Sequence, residues 1–144
     1  MKPVSPRVVA VLTLMLAAAP ARAAPADAVL GRWATPSKHG VVEITRCGAS
    51  ICGRLVNGDD IRANADARDV NNRNVAQRTR RLKDLTIIQG FRPDGDKWTD
   101  GSVYNPEDGG TYHGTITIDG ADALRLKGCI FWPLCKTQTW TRLR

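Results

Sequence analysis

The chain is predicted to be all-β, folded as either a sandwich or a closed barrel. Three observations predict this. Nearly every periodic segment alternates with period two. Turn chemistry punctuates the chain at Pro93-Asp94-Gly95, Glu107-Asp108-Gly109-Gly110 and Asp119-Gly120. Four cysteines bracket two short loops between β-like runs, Cys47-Gly-Ala-Ser-Ile-Cys52 and Cys129-Ile-Phe-Trp-Pro-Leu-Cys135.

Residues 1–23 read as an export signal. Lys2 and Arg7 supply the positive start, residues 8–19 are apolar apart from Thr13, and Ala21-Arg22-Ala23 is a small-x-small cleavage site. That apolar run is too short to span a bilayer. No cysteine stands just after the cleavage site, which argues against a lipid anchor. Residues 24–144 are then one domain with one modest core. Removing three cations and no acid takes the formal charge from +7 to +4. This mild basicity, with export, argues against nucleic acid as a partner. The expected location is the periplasm or the exterior.

The strands follow in order. Residues 30–35 form the first. Residues 41–46 put Val42 and Ile44 on one face and Glu43 and Thr45 on the other. Residues 51–57 and 85–92 follow, then 97–105. Residues 111–118 set Tyr112, Gly114 and Ile116 against His113, Thr115 and Thr117. Residues 123–129 alternate Leu124 and Leu126 with Arg125 and Lys127, and residues 136–143 complete a count of about eight.

Export implies an oxidising compartment, so the cysteines read as two disulfides. If Cys47 faces Cys52 across a hairpin, Val42 meets Asn57 and Ile44 meets Leu55 on the face opposite the sulfurs. If Cys129 faces Cys135, Leu126 meets Gln138 and Leu124 meets Trp140, again opposite the sulfurs. Both hairpins put apolar pairs inside, which favours the local pairings Cys47–Cys52 and Cys129–Cys135. A loop of Asp119-Gly120-Ala121 would set Ile116 against Leu124 and Gly114 against Leu126, with Tyr112 covering Gly128.

One segment breaks the pattern. Residues 58–83 hold few apolar positions, far more chain than the usual connection of about 4–6 residues. A short helix is expected around residues 60–69. A loop of this length in a small domain is a lid, a binding loop or disordered.

Gly31-Arg32-Trp33 at the first strand and Thr139-Trp140-Thr141-Arg142 at the last resemble the lipocalin-like, or calycin, arrangement. There a first-strand tryptophan is covered by a last-strand arginine, so Trp33 and Arg142 are the expected closure pair. A narrower resemblance covers almost the whole of residues 24–144 and includes Gly31-Arg32-Trp33. It rests on Val42-Glu43-Ile44, Cys52-Gly53-Arg54-Leu55-Val56, Asp69-Val70-Asn71-Asn72, Arg78-Thr79-Arg80, Gly90-Phe91 and Trp98-Thr99-Asp100-Gly101. Tyr104-Asn105-Pro106-Glu107-Asp108-Gly109-Gly110-Thr111-Tyr112 and Thr137-Gln138-Thr139-Trp140-Thr141-Arg142 complete it. These resemble the exported bacterial family called domain of unknown function 2147. The resemblance implies a small antiparallel up-and-down β-barrel, lipocalin-like, with one long polar loop. It supplies no activity. Where that family usually has proline after Asn72 and after the second arginine, this chain has Arg73 and Arg81. Where it has glycine before the next strand, this chain has Asp84.

No catalytic signature stands out. There is no Gly-x-Ser-x-Gly elbow and no His-Glu-x-x-His. His39 falls in a turn and His113 on an outer face. The cysteine spacings are not those of paired zinc or redox motifs, and no metal or cofactor is expected. Asp94, Asp96, Asp100, Glu107 and Asp108 crowd the turns. They offer a glycosidase-like pair or a calcium loop, but such residues more often simply make turns.

The group Arg73, Arg78, Arg80, Arg81 and Lys83 has three readings: a solvated loop paired with Asp69 and Asp84, an anion clamp, or a contact to an acidic surface. An eight-stranded barrel leaves a lumen just wide enough for side chains or one small ligand. Gly53, Gly114 and Gly128 are expected to leave space there, and Gln138 to be an inward polar group. The function expected is non-catalytic binding of a small amphipathic or anionic molecule at the barrel mouth. Trp98, Tyr104, Tyr112 and Gln138 would line it, and Arg78 and Arg80 would meet its polar end. Asp69 and Asn72 would shape the loop. The competing class is a structural or protein-interaction module of the envelope, with a filled barrel.

Overall fold

The period-two segments form eight strands, numbered along the chain: β1 Gly31–Ala34, β2 Val41–Cys47, β3 Ser50–Asn57, β4 Leu85–Asp94, β5 Lys97–Asn105, β6 Gly110–Asp119, β7 Ala123–Phe131 and β8 Leu134–Leu143. They come from a computed structural model that describes residues 27–144. The export segment expected at residues 1–23 lies outside the described residues. Each strand pairs antiparallel with the next, and β8 pairs back onto β1, closing an up-and-down barrel. Closure satisfies both edges that an open sheet would leave unpaired.

Closure rests on one arginine. Trp33 lies opposite Arg142 across the β1–β8 seam, with the guanidinium 4.1 Å from the indole centroid. The same guanidinium donates to the carbonyls of Leu30 and Ala121, each at 2.9 Å, and of Ala28. The buried indole donates to Val29 O at 2.9 Å. The stack therefore ties the segment before β1, the β6–β7 turn and the last strand together.

Both disulfides join the cysteines within each hairpin, Cys47 to Cys52 and Cys129 to Cys135. The second hairpin has the expected register, with Cys129 opposite Cys135, Leu126 opposite Gln138 and Leu124 opposite Trp140. The first is two residues out. Cys47 faces Ser50 around a tight Gly48-Ala49 turn, so Val42 meets Leu55, Ile44 meets Gly53, and the disulfide runs diagonally. A slip of two preserves the inward face, which is why the alternation alone does not detect it. The β6–β7 hairpin is likewise two out. Asp119 pairs with Ala123 and Ile116 with Leu126, and Gly114 sits opposite Gly128. Tyr112 still covers Gly128, diagonally: a Cβ built there would lie 3.4 Å from Tyr112 Cβ.

The barrel is filled at one end only. At the end where β1 begins and β8 finishes, Trp33, Ile44, Ile51, Phe91, Trp98, Ile116 and Leu124 are buried. Here two of the expected spaces are occupied. The Phe91 ring lies across Gly101 and Gly114, where added Cβ atoms would meet it at 2.1 and 2.5 Å, and Ile88 lies 2.9 Å from a Cβ at Gly53. These positions are glycine so that neighbouring side chains can cross them, not so that a ligand can. Only Gly128 faces the opposite, open end.

The long connection is built rather than loose. Its helix is shorter than expected, α1 Asp59–Ala63, because Asn64 turns to extended backbone and its side chain accepts from the Asp66 N–H. A single turn of 3-10 helix follows at Val75–Gln77, and Arg68 bridges Arg81. Asp84, which stands where glycine is usual, has a left-handed φ of 64°, the conformation glycine adopts most easily. Among the described residues no helix is long and apolar enough to cross a membrane.

Candidate functional site

Four connections meet at the open end: residues 35–40, 58–84, 106–109 and the β7–β8 turn. Between them opens a cavity of about 1080 Å³. Its apolar wall comes from Leu55, Ile87, Val103, Leu126 and Trp140 on β3, β4, β5, β7 and β8, with Leu82 and Ile61 from the long connection. The polar groups sit toward the rim: Gln138 and Lys136 along β8, Arg68 and Asn71 from the connection, and Tyr104, Asp108 and Tyr112 near the β5–β6 turn.

Three expected lining residues, Tyr104, Tyr112 and Gln138, reach this cavity. Gln138 Oε1 accepts from Trp140 Nε1 at 3.1 Å, so its partner is protein. Trp98 does not line the cavity. It is buried at the filled end, with the Arg46 guanidinium 5.5 Å from its ring centroid, because β5 carries it past the Phe91 layer.

Arg78 and Arg80 do not face the cavity either. Arg80 Nε donates at 2.8 Å to Asp69, which is buried, and its guanidinium lies 4.9 Å from the Tyr104 ring centroid. Arg78 Nε donates to the Asn72 carbonyl at 2.8 Å. A buried carboxylate needs a cation and hydrogen bonds, and Arg80 Nε supplies one of them. Asp69 also accepts from Tyr104 O–H at 2.5 Å and from Asn72 Nδ2 at 2.9 Å. Of the other loop cations, Arg81 pairs with Asp66. The expected loop-shaping residues Asp69 and Asn72 thus draw both arginines into one knot.

The knot docks on the β5–β6 turn. Asn71 Nδ2 donates to Pro106 O at 3.2 Å, and a Cβ at Gly109 would strike Asn71 O at 1.9 Å. Gly109 also has a φ of 68°, so both backbone conformation and contact require glycine there. Burial, then the hydrogen bond to Asp69, pushes the Tyr104 phenol up to about 12. The hydrogen bond to Asp108, then burial, raises the Tyr112 phenol. Burial opposes ionisation of Asp108, but hydrogen bonds from Tyr112, Gly110 N–H and Asn105 outweigh it and hold the carboxyl below its ordinary range. The motifs at residues 69–72, 78–80 and 104–112, far apart in sequence, therefore form one structural unit that seats the long connection beside the cavity.

The apolar wall residues Leu82, Ile87 and Val103 and the rim residues Arg68 and Lys136 were not among the sequence-predicted site residues. Alternation back from Phe91 points to Ile87, but on β5 the parity of Trp98 and Tyr104 points away from Val103, which turns inward only because the strand is irregular between Trp98 and Gly101. For Arg68 and Leu82 the sequence carries no such signal, because they lie on irregular backbone. Among the described residues no group of three metal-ligating side chains converges.

Comparison with solved structures finds a protein of the same architecture, HP1028 from the human pathogen Helicobacter pylori, described as belonging to the lipocalin family. It superposes with a TM-score of 0.70 at 22% identity, covering 81% of this chain and 83% of the other. At that identity the likeness is one of fold. No curated protein matches the chain. A family profile described as "Uncharacterized protein conserved in bacteria", domain of unknown function 2147, matches residues 31–142. That span runs from the first strand to the closure arginine and includes every motif of the knot, and the chain belongs to this family.

Proposed function

We propose that this chain is an exported, non-catalytic binding protein that holds a small amphipathic molecule in the open half of its barrel. Residues 1–23 act as the export signal and residues 24–144 as the binding unit. The observation that carries the reading is the cavity of about 1080 Å³ with an apolar wall and a polar rim of mixed charge. That volume is at the upper end for small-molecule sites, which are mostly apolar with a few polar groups that orient the ligand. The lipocalin-like fold supports it as a scaffold for small-molecule binding in general.

The ligand's apolar part would lie against Leu126, Val103 and Trp140. Its polar or anionic end would meet Lys136, Gln138 and Arg68, in place of the arginines expected from sequence. The alternative of a filled interaction module is disfavoured by the unfilled half of the lumen. Native mass spectrometry of protein purified from its own cell envelope tests the reading. It should retain one small organic molecule per chain, released on unfolding. A bare mass at every declustering energy, with no stabilisation by any amphipathic compound in a thermal-shift panel, would favour the module instead.

A further inference from the structure

The β7–β8 hairpin outreaches the barrel. Pairing of β7 with β6 ends at Cys129, and pairing of β8 with β1 ends at Thr141, so the tip beyond them is supported on neither side. That tip is Ile130-Phe131-Trp132-Pro133-Leu134, closed at its base by the Cys129–Cys135 disulfide. It should be polar if it only met water. Instead Ile130, Phe131, Trp132 and Leu134 are 60, 61, 81 and 54% exposed. An exposed apolar cluster of this kind marks a docking surface.

We propose that this stapled finger inserts into the interface of an anionic lipid bilayer and holds the cavity mouth against it. Three features favour lipid over another protein surface. The tip is a narrow projection, suited to entering a headgroup layer. Tryptophan and phenylalanine with flanking lysine are the residues that settle at that depth. Finally, residues 123–144 hold no acid, and the cations nearest the tip are lysines, which complements a negative surface. Lys127 and Lys136, nearest the tip, are exposed and form no ion pair among the described residues. Ile130 and Leu134 also border the cavity mouth, so insertion would face the opening toward the lipid. The docking itself does not require the cavity to be occupied.

The test uses the oxidised protein with vesicles of phosphatidylcholine alone or mixed with phosphatidylglycerol. Of four tryptophans only Trp132 is exposed, so acrylamide quenching reports on the finger. Anionic vesicles should float the protein, shift its emission to the blue and protect Trp132 from acrylamide. Phe131→Ser with Trp132→Ser should reduce flotation at least about tenfold. Lys127→Glu or Lys136→Glu should each weaken it about fivefold or more at low salt. If a variant misfolds, quenching of unmodified protein by brominated lipid decides. Unchanged quenching with anionic vesicles, or flotation indifferent to the finger, overturns the proposal. So does a concentration-dependent dimer that buries Trp132 without vesicle binding, which would assign the finger to a second copy of the chain.

Discussion

Tyr104 shows how one side chain can commit a long connection to a fixed course. Its hydroxyl donates to Asp69, and its ring carries the Arg80 guanidinium that neutralises the same carboxylate. A phenol whose folded pKa is raised stabilises the fold below its ordinary 10.0, and that contribution is lost as pH rises toward about 12. The chain has two tyrosines, and both are raised. Absorbance at the phenolate band after rapid pH jumps should therefore show Tyr104 ionising near 12 in folded protein and Tyr112 above its unfolded value. Urea-unfolded protein should show both near 10. A folded-state transition at the ordinary value would contradict the Asp69 and Asp108 bonds. Arg80→Ala leaves Asp69 buried without its cation and should cost about 2–3 kcal/mol in urea unfolding, the lower side of the usual buried-pair range because Arg80 is partly exposed. Arg78→Ala removes a hydrogen bond to the backbone carbonyl of buried Asn72 and should cost about 1 kcal/mol. The sequence predicts Asp69 and Asn72 as shaping residues and outward arginines, whereas Arg80 holds Asp69 and Arg78 the Asn72 carbonyl. Spacing of two along the chain says nothing about which carboxylate lies across a fold of irregular backbone.

At the scale of the element, hairpins were legible and their exact registers only partly so. Alternation fixes the inward face. Turn position fixes the slip along it: the β2–β3 turn is two residues shorter than expected, and the β6–β7 turn sits one residue later. The β7–β8 hairpin was placed correctly because its cysteines lie directly opposite. Replacing Cys129 and Cys135 with alanine should cost roughly 2 kcal/mol, since a short loop gains little from closure. The barrel should persist, as seen by unchanged far-ultraviolet dichroism, while Trp132 should become more mobile in fluorescence anisotropy. Global unfolding of the variant would show that the staple holds more than its own hairpin. The long connection was visible as an anomaly of length and polarity. Its folded path was not, because the contacts that set it run between residues more than thirty apart, Asp69 to Tyr104 and Asn71 to Pro106.

Across the whole molecule, the barrel divides into a packed half that carries stability and an open half that offers a cavity. Eight strands, their order and the Trp33–Arg142 seam were legible from alternation and the family resemblance. The division was not, because three inward glycines look alike in sequence while Phe91 and Ile88 occupy two of them. Trp33→Ala should cost about 3–5 kcal/mol as a large core truncation. Arg142→Ala should cost about 2–3 kcal/mol, more than stacking alone, because its guanidinium also bonds backbone carbonyls on both sides of the seam. Equal melting of Arg142→Ala and parent would remove the seam from the account. The central claim is that the open half takes a ligand, and titration with 1-anilinonaphthalene-8-sulfonate, an anionic amphipathic probe, tests it most directly. Parent protein should bind one probe per chain saturably, and Leu126→Trp, which fills the cavity wall, should weaken binding about tenfold or more while the fold melts cooperatively. Non-saturable binding, or equal affinity in parent and the filled variant, would contradict it.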